Sequence, residues 1–449
     1  MSAEEKKASI GLAGIFSMRM MGLFMILPVM SLYTENLEGM TPLLLGLAIS
    51  IYGLTQAMLQ IPFGLMSDRF GRKRVITIGL LLFVAGSVVA AMSTTIYGII
   101  VGRALQGSGA VAAAVMALAA DLTSEQNRTK IMATIGISIG VSFGIAMVLG
   151  PVMASFVGLS GIFWFTAVLA IVGIIILHKV VPRPKALTLH KDAEPIPALM
   201  GKVLKDGQLL RLDIGIFCLH LVMTAMFVVL PLLMRGKLGI AAEDHWMVYL
   251  PVLGLSVIAM VPFIIIAEKK RKMKLVFVGA VGTLSIASLG LYLFSDNLWG
   301  MLAALFIFFT AFNLLEATLP SLISKIAFAG GKGTAMGVYS SAQFFGAFCG
   351  GLMGGLVWDG YGLASVFLVC AVILLGWFLV ALGMKSPRHM SSLLKHVEVQ
   401  SSAHAKEITD KLLAVKGVLD VGISADDSTA YLKVDNELLD EKELDAIIS

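Results

Sequence analysis

Charge is scarce in this 449-residue chain: acidic and basic side chains make up 14% of it, and apolar ones 58%. Soluble domains carry about 25% charged and about 45–50% apolar residues. A soluble fold of this length has too little polar surface to cover so much hydrocarbon. Cysteine is nearly absent. Cys218, Cys349 and Cys370 each lie in an apolar run with no paired spacing, which argues against a disulfide framework and a thiolate zinc site. The loop G-x-x-x-x-G-K-[ST] is missing, so direct drive by ATP is not expected. Nothing points to a catalytic constellation, a cofactor or a metal, and the chain does not read as an enzyme.

What fills the sequence is long apolar runs. A membrane-spanning helix needs about 20 such residues. Twelve segments qualify, centred near Phe24, Thr55, Phe83, Ala110, Phe143, Val168, Met223, Leu255, Leu284, Thr310, Phe345 and Val372. The first follows MSAEEKKASIGLAG and is too long for a signal-peptide core, so it reads as a retained span. The interruption at roughly 181–210 holds Pro182, Pro184, Pro195 and Pro197, and divides the spans six and six. It reads as an extended linker with room for a short amphipathic helix.

The loops give the orientation. Arg69, Arg72, Lys73 and Arg74, then Arg128 and Lys130, then Lys269 to Lys272 and Lys274 fall on one side. The other side holds Arg235 and Lys237 beside Glu243 and Asp244. Positive loops stay in the cytoplasm, which puts both termini and the linker there, in an inner (plasma) membrane protein of many passes. The basic excess of the membrane part reflects these loops and does not imply nucleic-acid binding.

The chain also repeats itself. IPFGLMSDRFGRKRVI (61–76) aligns with VPFIIIAEKKRKMKLV (261–276) at a shift of 200, matching Pro62 with Pro262 and Asp68 with Glu268. FMILPVM (24–30) echoes FVVLPLL (227–233), and NRTKIMA (127–133) echoes GKGTAMG (331–337). Two parallel six-helix halves around a midplane site are the plan of a rocking-bundle transporter.

GLMSDRFGRKR, between the second and third spans, resembles the signature G-x-x-x-D-R-x-G-R-[KR]-[KR] of the major facilitator superfamily, met at Gly64, Asp68, Arg69, Gly71, Arg72, Lys73 and Arg74. The resemblance covers residues 1 to about 390 and implies an all-α membrane fold of twelve helices in two bundles. It also implies that Asp68 faces the positive N-terminal end of the eleventh helix, near 332–337, and latches the cytoplasmic side shut, with Asp121 and Arg128 completing the charge network. The residue types suit that role. Gly64 allows close helix approach, Gly71 a tight turn, and a carboxylate is favoured at a helix N-terminus. Enforcing topology alone would account for the arginines but not for the glycines. The second repeat has Ile264 and Arg271 where the first has glycines, so a single working latch is expected.

GRALQGSGA (102–110) resembles the family's arginine motif associated with proton-coupled members, and Arg103 either faces water or a partner, or snorkels. The fifth span has glycines at 136, 140, 144 and 150 followed by Pro151, a partial match to the family's antiporter signature because Ala154 and Ser155 replace its later glycines. Small residues at this spacing also pack helices, and both readings stay open.

Ionisable groups inside spans are functional candidates. Glu316, midway along the tenth span, reads as a proton carrier or as the partner of a buried cation. Arg19 reads as an anion site, a cross-interface partner of Glu316, or a snorkelling residue. His220 reads as a proton-coupling group or a packing histidine. Gln56, Gln60, Asn313 and Gln343 read as lining a wet cavity or as helix–helix bonds.

Composition changes after Pro387. Residues 391–449 hold six basic and twelve acidic side chains, net −6, against net +11 for the remainder. Strands are expected at 393–400, 418–424 and 430–435, and helices at 403–417 and 440–449. This βαββα order resembles small ferredoxin-like domains of the heavy-metal-associated type without the last strand. The two cysteines those domains carry in the first loop are absent from QSSAHAK, so no metal is expected. Some bacterial major facilitator proteins carry an appended domain of this kind, and an acidic one would dock electrostatically on the basic loops or ride as a passenger. The expected units are therefore 1–181, a linker 182–209, 210–388, and a cytoplasmic domain 391–449.

The leading functional reading is a proton-coupled antiporter exporting small amphipathic compounds. A proton symporter or facilitator for a nutrient, and a non-transporting membrane sensor, remain as alternatives. The partners implied are a small-molecule substrate, protons and the lipid bilayer.

Overall fold

A computed structural model describes residues 1–35, 37–183, 197–385, 390–397, 402–424, 429–435, 438–440, 443, 444 and 446. The chain enters as α1 (Ala3–Phe24), α2 (Met30–Tyr33), α3 (Pro42–Phe70), α4 (Arg72–Met92), α5 (Ile96–Ser108), α6 (Ala112–Asp121) and α7 (Glu125–Lys179). After the linker helix α8 (Pro197–Lys205) come α9 (Gly207–Gly236), α10 (Trp246–Lys269), α11 (Met273–Leu293), α12 (Leu298–Ile326), α13 (Lys332–Tyr361) and α14 (Ser365–Leu382). Nine helical segments among the described residues are long and apolar enough to cross a membrane. One of these, 130–179, is long enough for two crossings and reverses at Gly158, whose φ of 65° only glycine adopts readily.

The expected segments fall on helices, with local differences that have clear causes. The first expected centre, Phe24, lies at the end of α1, and the chain then turns through 25–29 before α2. Pro28 has no N–H to continue the ladder, and the turn runs on tighter bonds such as Leu27 N–H to the Phe24 carbonyl. Its repeat partner Pro231 sits inside the unbroken α9. The span centred on Ala110 is likewise split into α5 and α6 around Gly109, where a methyl group would lie 2.1 Å from the Gly79 carbonyl oxygen. Of the linker, 184–196 lies outside the described residues.

Apolar side chains face outward as well as inward: Phe156, Trp299, Ile286 and Ile258 are among the most exposed residues. That is the surface a lipid environment wants, and one that water would penalise. One interior cluster belongs to the first half, with Leu12, Phe16, Leu80, Val115 and Leu118 at its centre. A larger one runs through the second half and crosses into the first, at the turn 25–30 and at Ile49, Ala91, Ile99, Met147 and Phe163. Met1, the turn at Gly71 and the start of α7 share one face, tied by Glu5, which caps α1 and also accepts from the Ser124 N–H at 2.9 Å. This is the terminal face, and the opposite one is the distal face.

α13 holds the two halves together. On one side, glycines 346, 350 and 354 meet α9 backbone: a methyl group on Gly350 would stand 2.1 Å from the Leu221 carbonyl oxygen. On another side, glycines 351 and 355 meet α3 near its start: a methyl group on Gly355 would stand 2.4 Å from the Pro42 carbonyl oxygen, and one on Gly351 2.3 Å from Ser50 Cβ. Small residues at this spacing let helices touch backbone to backbone, where close packing rather than the hydrophobic effect drives association in lipid. The α3 contacts run from its start near the distal face to Gly53, which meets the Phe344 backbone midway along α13, so the halves close from the distal face to the middle of the bundle.

Beyond α14 comes a small sheet. β1 (Met390–His396), α15 (Ser402–Ala414), β2 (Val418–Ser424) and β3 (Thr429–Asp435) give the order β1-β3-β2, antiparallel throughout. Ile408, Leu412 and Val415 of the helical side pack on Val418, Ala430, Leu432 and Val434. The first strand begins three residues before the expected 393, and the expected helix 440–449 lies largely outside the described residues. Lys433 Nζ donates to the Ser324 and Lys325 carbonyls, both at 2.9 Å, and Asp420 Oδ2 accepts from the Ala329 N–H at 2.8 Å. The sheet thus meets the end of α12 and the turn before α13, next to Lys325, which itself pairs with Glu268 at the edge of the basic 269–274 loop.

Two alanine substitutions separate the roles of the α13 glycines. Gly350→Ala overpacks α13 against α9 within one half and is expected to lower stability by about 1–3 kcal/mol, read as thermal unfolding in detergent. Gly351→Ala is expected to leave unfolding little changed but to open the distal contact, so that a Ser50→Cys probe in a background without native cysteines gains maleimide reactivity. Equal loss of stability in both would mean that the two contacts are equally permanent.

Candidate functional site

The interior of the second half brings three sequence candidates together. Glu316 on α12 and His220 on α9 approach to 3.9 Å between Oε2 and Nε2. Gln343 on α13 spans them, its Nε2 2.8 Å from His220 Nε2 and 3.4 Å from Glu316 Oε1. Gln343, expected in the substrate cavity, is therefore part of the titratable cluster. The ring of Phe312 covers His220 at 6.2 Å between centroids. Among the described residues no lysine or arginine pairs with Glu316, so the reading of this carboxylate as a cation's partner finds no cation. Asn313 is a helix–helix bond, donating to Ser256 Oγ on α10 at 2.9 Å.

The first half holds the opposite charge. Arg19, 2% exposed, donates to Gln56 Oε1 at 2.5 Å and to the Gly109 carbonyl at 3.0 Å, which the α5–α6 break frees. Gln56 continues to Gln60 Oε1 at 3.3 Å. These bonds keep Arg19 within its own half, where it neither snorkels nor reaches Glu316. Arg103 is fully buried, donating to Gln106 Oε1 at 2.8 Å and the Ile49 carbonyl at 3.2 Å, with Tyr52 4.9 Å beneath its guanidinium. Burial rules out snorkelling for it as well. Both cations are stabilised by dipoles and a ring face. Arg103 has no contact with the Glu316 cluster.

The loop signature builds a network on the terminal face. Arg72 is the hub: its Nε donates to Asp121 Oδ2 at 2.9 Å, one Nη to Ser67 Oγ at 2.9 Å, and it pairs with Asp68 one turn back. Ser67 in turn donates to the Gly64 carbonyl at 2.7 Å. Gly71 caps α4 at φ 94°, ψ 135°, a conformation close to one that only glycine tolerates. Arg69 is exposed. The Arg128 side chain lies outside the described residues. Asp68 was expected at the start of α13. Here it is held by Arg72, and the α3–α13 contact runs from the distal end to the middle instead, so the latch contact is not formed in this arrangement.

The second repeat also turns through a positive φ, but over three residues, 270–272, where the first has Gly71 alone, and with different chemistry. Arg271, at the position of Gly71, has φ 56°, the one non-glycine residue with positive φ among the described residues. Glu268, at the position of Asp68, accepts from Lys325 Nζ at 2.8 Å. Of the signature glycines in α7, 136, 140 and 144 have open space where a side chain would be, and Gly150 abuts the Met25 carbonyl. Helix packing therefore does not explain the first three.

Sequence reasoning overlooked Glu5, Tyr52, Asp213 and Tyr339. Asp213 had a signal: it is an acid in the apolar stretch RLDIGIF, near enough to the segment end to pass for an interfacial charge. It is 5% exposed, and neither carboxyl oxygen has a partner among the described residues.

A bundle of apolar helices in two repeated halves, with ionisable groups inside each and a charged network on one face, is the plan of a secondary transporter. The Major Facilitator Superfamily model matches residues 12–348 and 214–408, and the chain belongs to that superfamily of transporters, not to an enzyme family. It is 47% identical to the inner membrane transport protein YajR of Escherichia coli over 455 residues, covering all of this chain and 98% of that protein. It is 34% identical to the uncharacterized transporter BU466 of Buchnera aphidicola, covering 77% and 89%. The quinolone resistance protein NorA of Staphylococcus aureus is 24% identical over 368 residues, covering 80% and 92%. The fold is shared with the human organic anion transporter MFSD10, at a TM-score of 0.61 and 18% identity, covering 85% of this chain and all of that one.

The Arg72–Asp121 pair is buried on both sides, at 2% and 0% side-chain exposure. Arg72→Met leaves Asp121 short of its partner and is expected to cost about 3–5 kcal/mol, whereas Arg72→Met with Asp121→Leu should recover at least half of that. Urea or thermal unfolding of the detergent-solubilised protein measures it. No recovery in the double variant would mean that the network, and not the pair, carries the stability.

Proposed function

We propose that the chain is a proton-coupled antiporter of the inner membrane that exports small amphipathic compounds by alternating access. The Glu316–Gln343–His220 cluster carries this reading: two titratable groups 3.9 Å apart on apolar helices, bridged by an amide and with no cation beside them among the described residues, His220 buried and the Glu316 side chain 38% exposed. Glu316 is the proton carrier, His220 its neighbour in coupling, and Arg103 a fixed charge of the opposite half. The substrate sits between the halves, facing Arg19, Gln56 and Gln60 on one side. The glycines at 136, 140 and 144, free of packing contacts, favour antiport over a nutrient symporter.

In this reading the nine apolar segments, the second passage of α7, the broken α1–α2 and the glycine-rich α13 make twelve spans, six per half. The units are 1–181, the linker 182–209, 210–388, and a cytoplasmic domain 391–449 of ferredoxin-like order lacking its last strand. The terminal face is cytoplasmic, in keeping with its basic loops. The arrangement described here is closed at the periplasmic, distal end. When the cytoplasmic side closes, Asp68 exchanges Arg72 for the N-terminal end of α13, where a negative charge is favoured.

The test is reconstitution in liposomes with an internal pH dye, beginning from a quinolone and an organic anion, the compound classes named for the two similar proteins. Substrate pulses are expected to move protons in the parent protein. Glu316→Gln should reduce that movement by about a hundredfold or more. Undiminished proton movement in Glu316→Gln would defeat the carrier role, and binding without proton movement in the parent would mark a sensor.

The tail is a regulator in this reading, since Lys433 and Asp420 grip the turn before α13. Removing both with alanine takes away bonds of about 1.5–3 kcal/mol each and should change the initial transport rate several-fold and flatten its response to salt. An unchanged rate would make the domain a passenger.

A further inference from the structure

The enclosed carboxyl group of Asp213 is not used by the reading above, on which the following rests. Its position is informative. Asp213 lies six residues from the start of α9, about 9 Å in from the terminal face, and His220, on nearly the same side of the helix two turns on, lies about 20 Å in. Tyr339 is seven residues into α13, about 10 Å, and Glu316 ten residues before the end of α12, about 15 Å. The four groups therefore form a row: Asp213 and Tyr339 nearest the terminal face, then Glu316, then His220.

No hydrogen bond among the described residues joins Tyr339 or Asp213 to the rest of the row in this arrangement, but Tyr339 lies one helical turn from Gln343, which bonds both His220 and Glu316. Tyr339 is 3% exposed, and its hydroxyl has no partner among the described residues. One oxygen of Glu316, Oε2, and both oxygens of Asp213 are likewise without a hydrogen bond. No cation competes for Asp213. On its own helix Arg211 turns to the end of α14, where its Nη2 would stand 3.5 Å from a methyl group on Gly383. From α8, Lys202 sits over the Phe328 ring at 4.0 Å and Lys205 is exposed. From α12, Lys325 is paired with Glu268. α14 carries no charged residue, and on α3 Asp68 is paired with Arg72 while Arg69 is exposed. A carboxyl group enclosed in this way needs a proton or a partner, and no partner is present.

We propose that Asp213 is a second proton-carrying group, which takes the proton from Glu316 through the Tyr339 hydroxyl and releases it at the terminal face. In that step the Glu316 O–H bond breaks and its proton passes to the Tyr339 oxygen. The original tyrosine proton passes to an oxygen of the Asp213 carboxylate. Tyr339 ends as a neutral hydroxyl, and one negative charge has moved from Asp213 to Glu316. The reverse sequence loads Glu316 from the same face.

The full-length protein in lipid nanodiscs tests this by infrared spectroscopy of the carboxylic-acid band, in light and heavy water and without any substrate. The parent protein is expected to show two enclosed carboxylic-acid signals. Asp213→Asn should remove one and leave the other, Glu316→Gln should do the converse, and Asp213→Glu should keep both with one displaced. Tyr339→Phe should keep both and slow hydrogen–deuterium exchange at Glu316 by about a hundredfold. An unchanged spectrum in Asp213→Asn, or unchanged exchange in Tyr339→Phe, overturns the relay while leaving Glu316 as carrier. If Glu316→Gln removes no signal while Asp213→Asn does, the carrier reading itself fails and the relay with it.

Discussion

Backbone-to-backbone contact along α13 is the constraint on which the remaining structure depends. Lipid offers apolar side chains no reason to leave it, so two bundles stay together only where their surfaces fit more closely to each other than to acyl chains. Glycine alone provides that fit, and α13 spends its glycines on two different neighbours. The stripe at 346, 350 and 354 fixes the helix to α9 in its own half. The stripe at 351 and 355 touches α3 of the other half. One helix is thus both a fixed wall and a movable contact. The same helix brings Tyr339 and Gln343 to the titratable row, so any movement of α13 relative to α12 or α9 alters the surroundings of Glu316.

The hinge on the terminal face shows how a repeated fold distributes roles. Both repeats need the chain to reverse with a positive φ after the charged end of a helix. Gly71 meets that need without strain, whereas Arg271 meets it in a region that side chains enter at about 1–2 kcal/mol. The positive φ was therefore kept when the glycine was not. The carboxylates diverge too. Asp68 sits on a hub that also serves Asp121, while Glu268 has a lysine at the exposed end of α12. A hub offers alternatives to a carboxylate; a surface pair screened by water offers little energy either way.

Much of this was legible from the residues alone because membrane burial leaves few ways to fold. Apolar length located the helices, prolines and glycines located their breaks, and the shift of 200 between the repeats predicted that 268 and 271 would stand where 68 and 71 do. Glu316 stood out because a charge in the middle of a span has no ordinary explanation. What the residues did not reveal was pairing. Gln343 and Asn313 look alike as amides on apolar helices, yet one joins the titratable cluster and the other ties α12 to α10. Asp213 was passed over because distance along a helix from its end does not say whether neighbouring elements cover that end; α8, α13 and α14 do. The tail shows the same limit: net charge suggested docking on the basic loops, but it could not say that Lys433 and Asp420 would bond backbone groups at the end of α12 and in the turn after it.

The distribution of enclosed charge follows a rule that neither half shows alone. Among the described residues, Arg19 and Arg103 lie in the first half without a carboxylate, and Glu316 and Asp213 in the second without a lysine or arginine. Pairing them within one half would have been simpler, but a hydrogen-bonded ion pair in low dielectric is a stable endpoint: it fixes both charges and resists protonation. Carbonyls, amides and the Tyr52 ring hold the arginines in place while leaving their field largely unquenched. A carboxyl group across the interface then experiences a positive half whose distance depends on how the two bundles sit. Under the proposed function, its tendency to ionise would become a function of conformation, which is the physical link that proton coupling by alternating access requires.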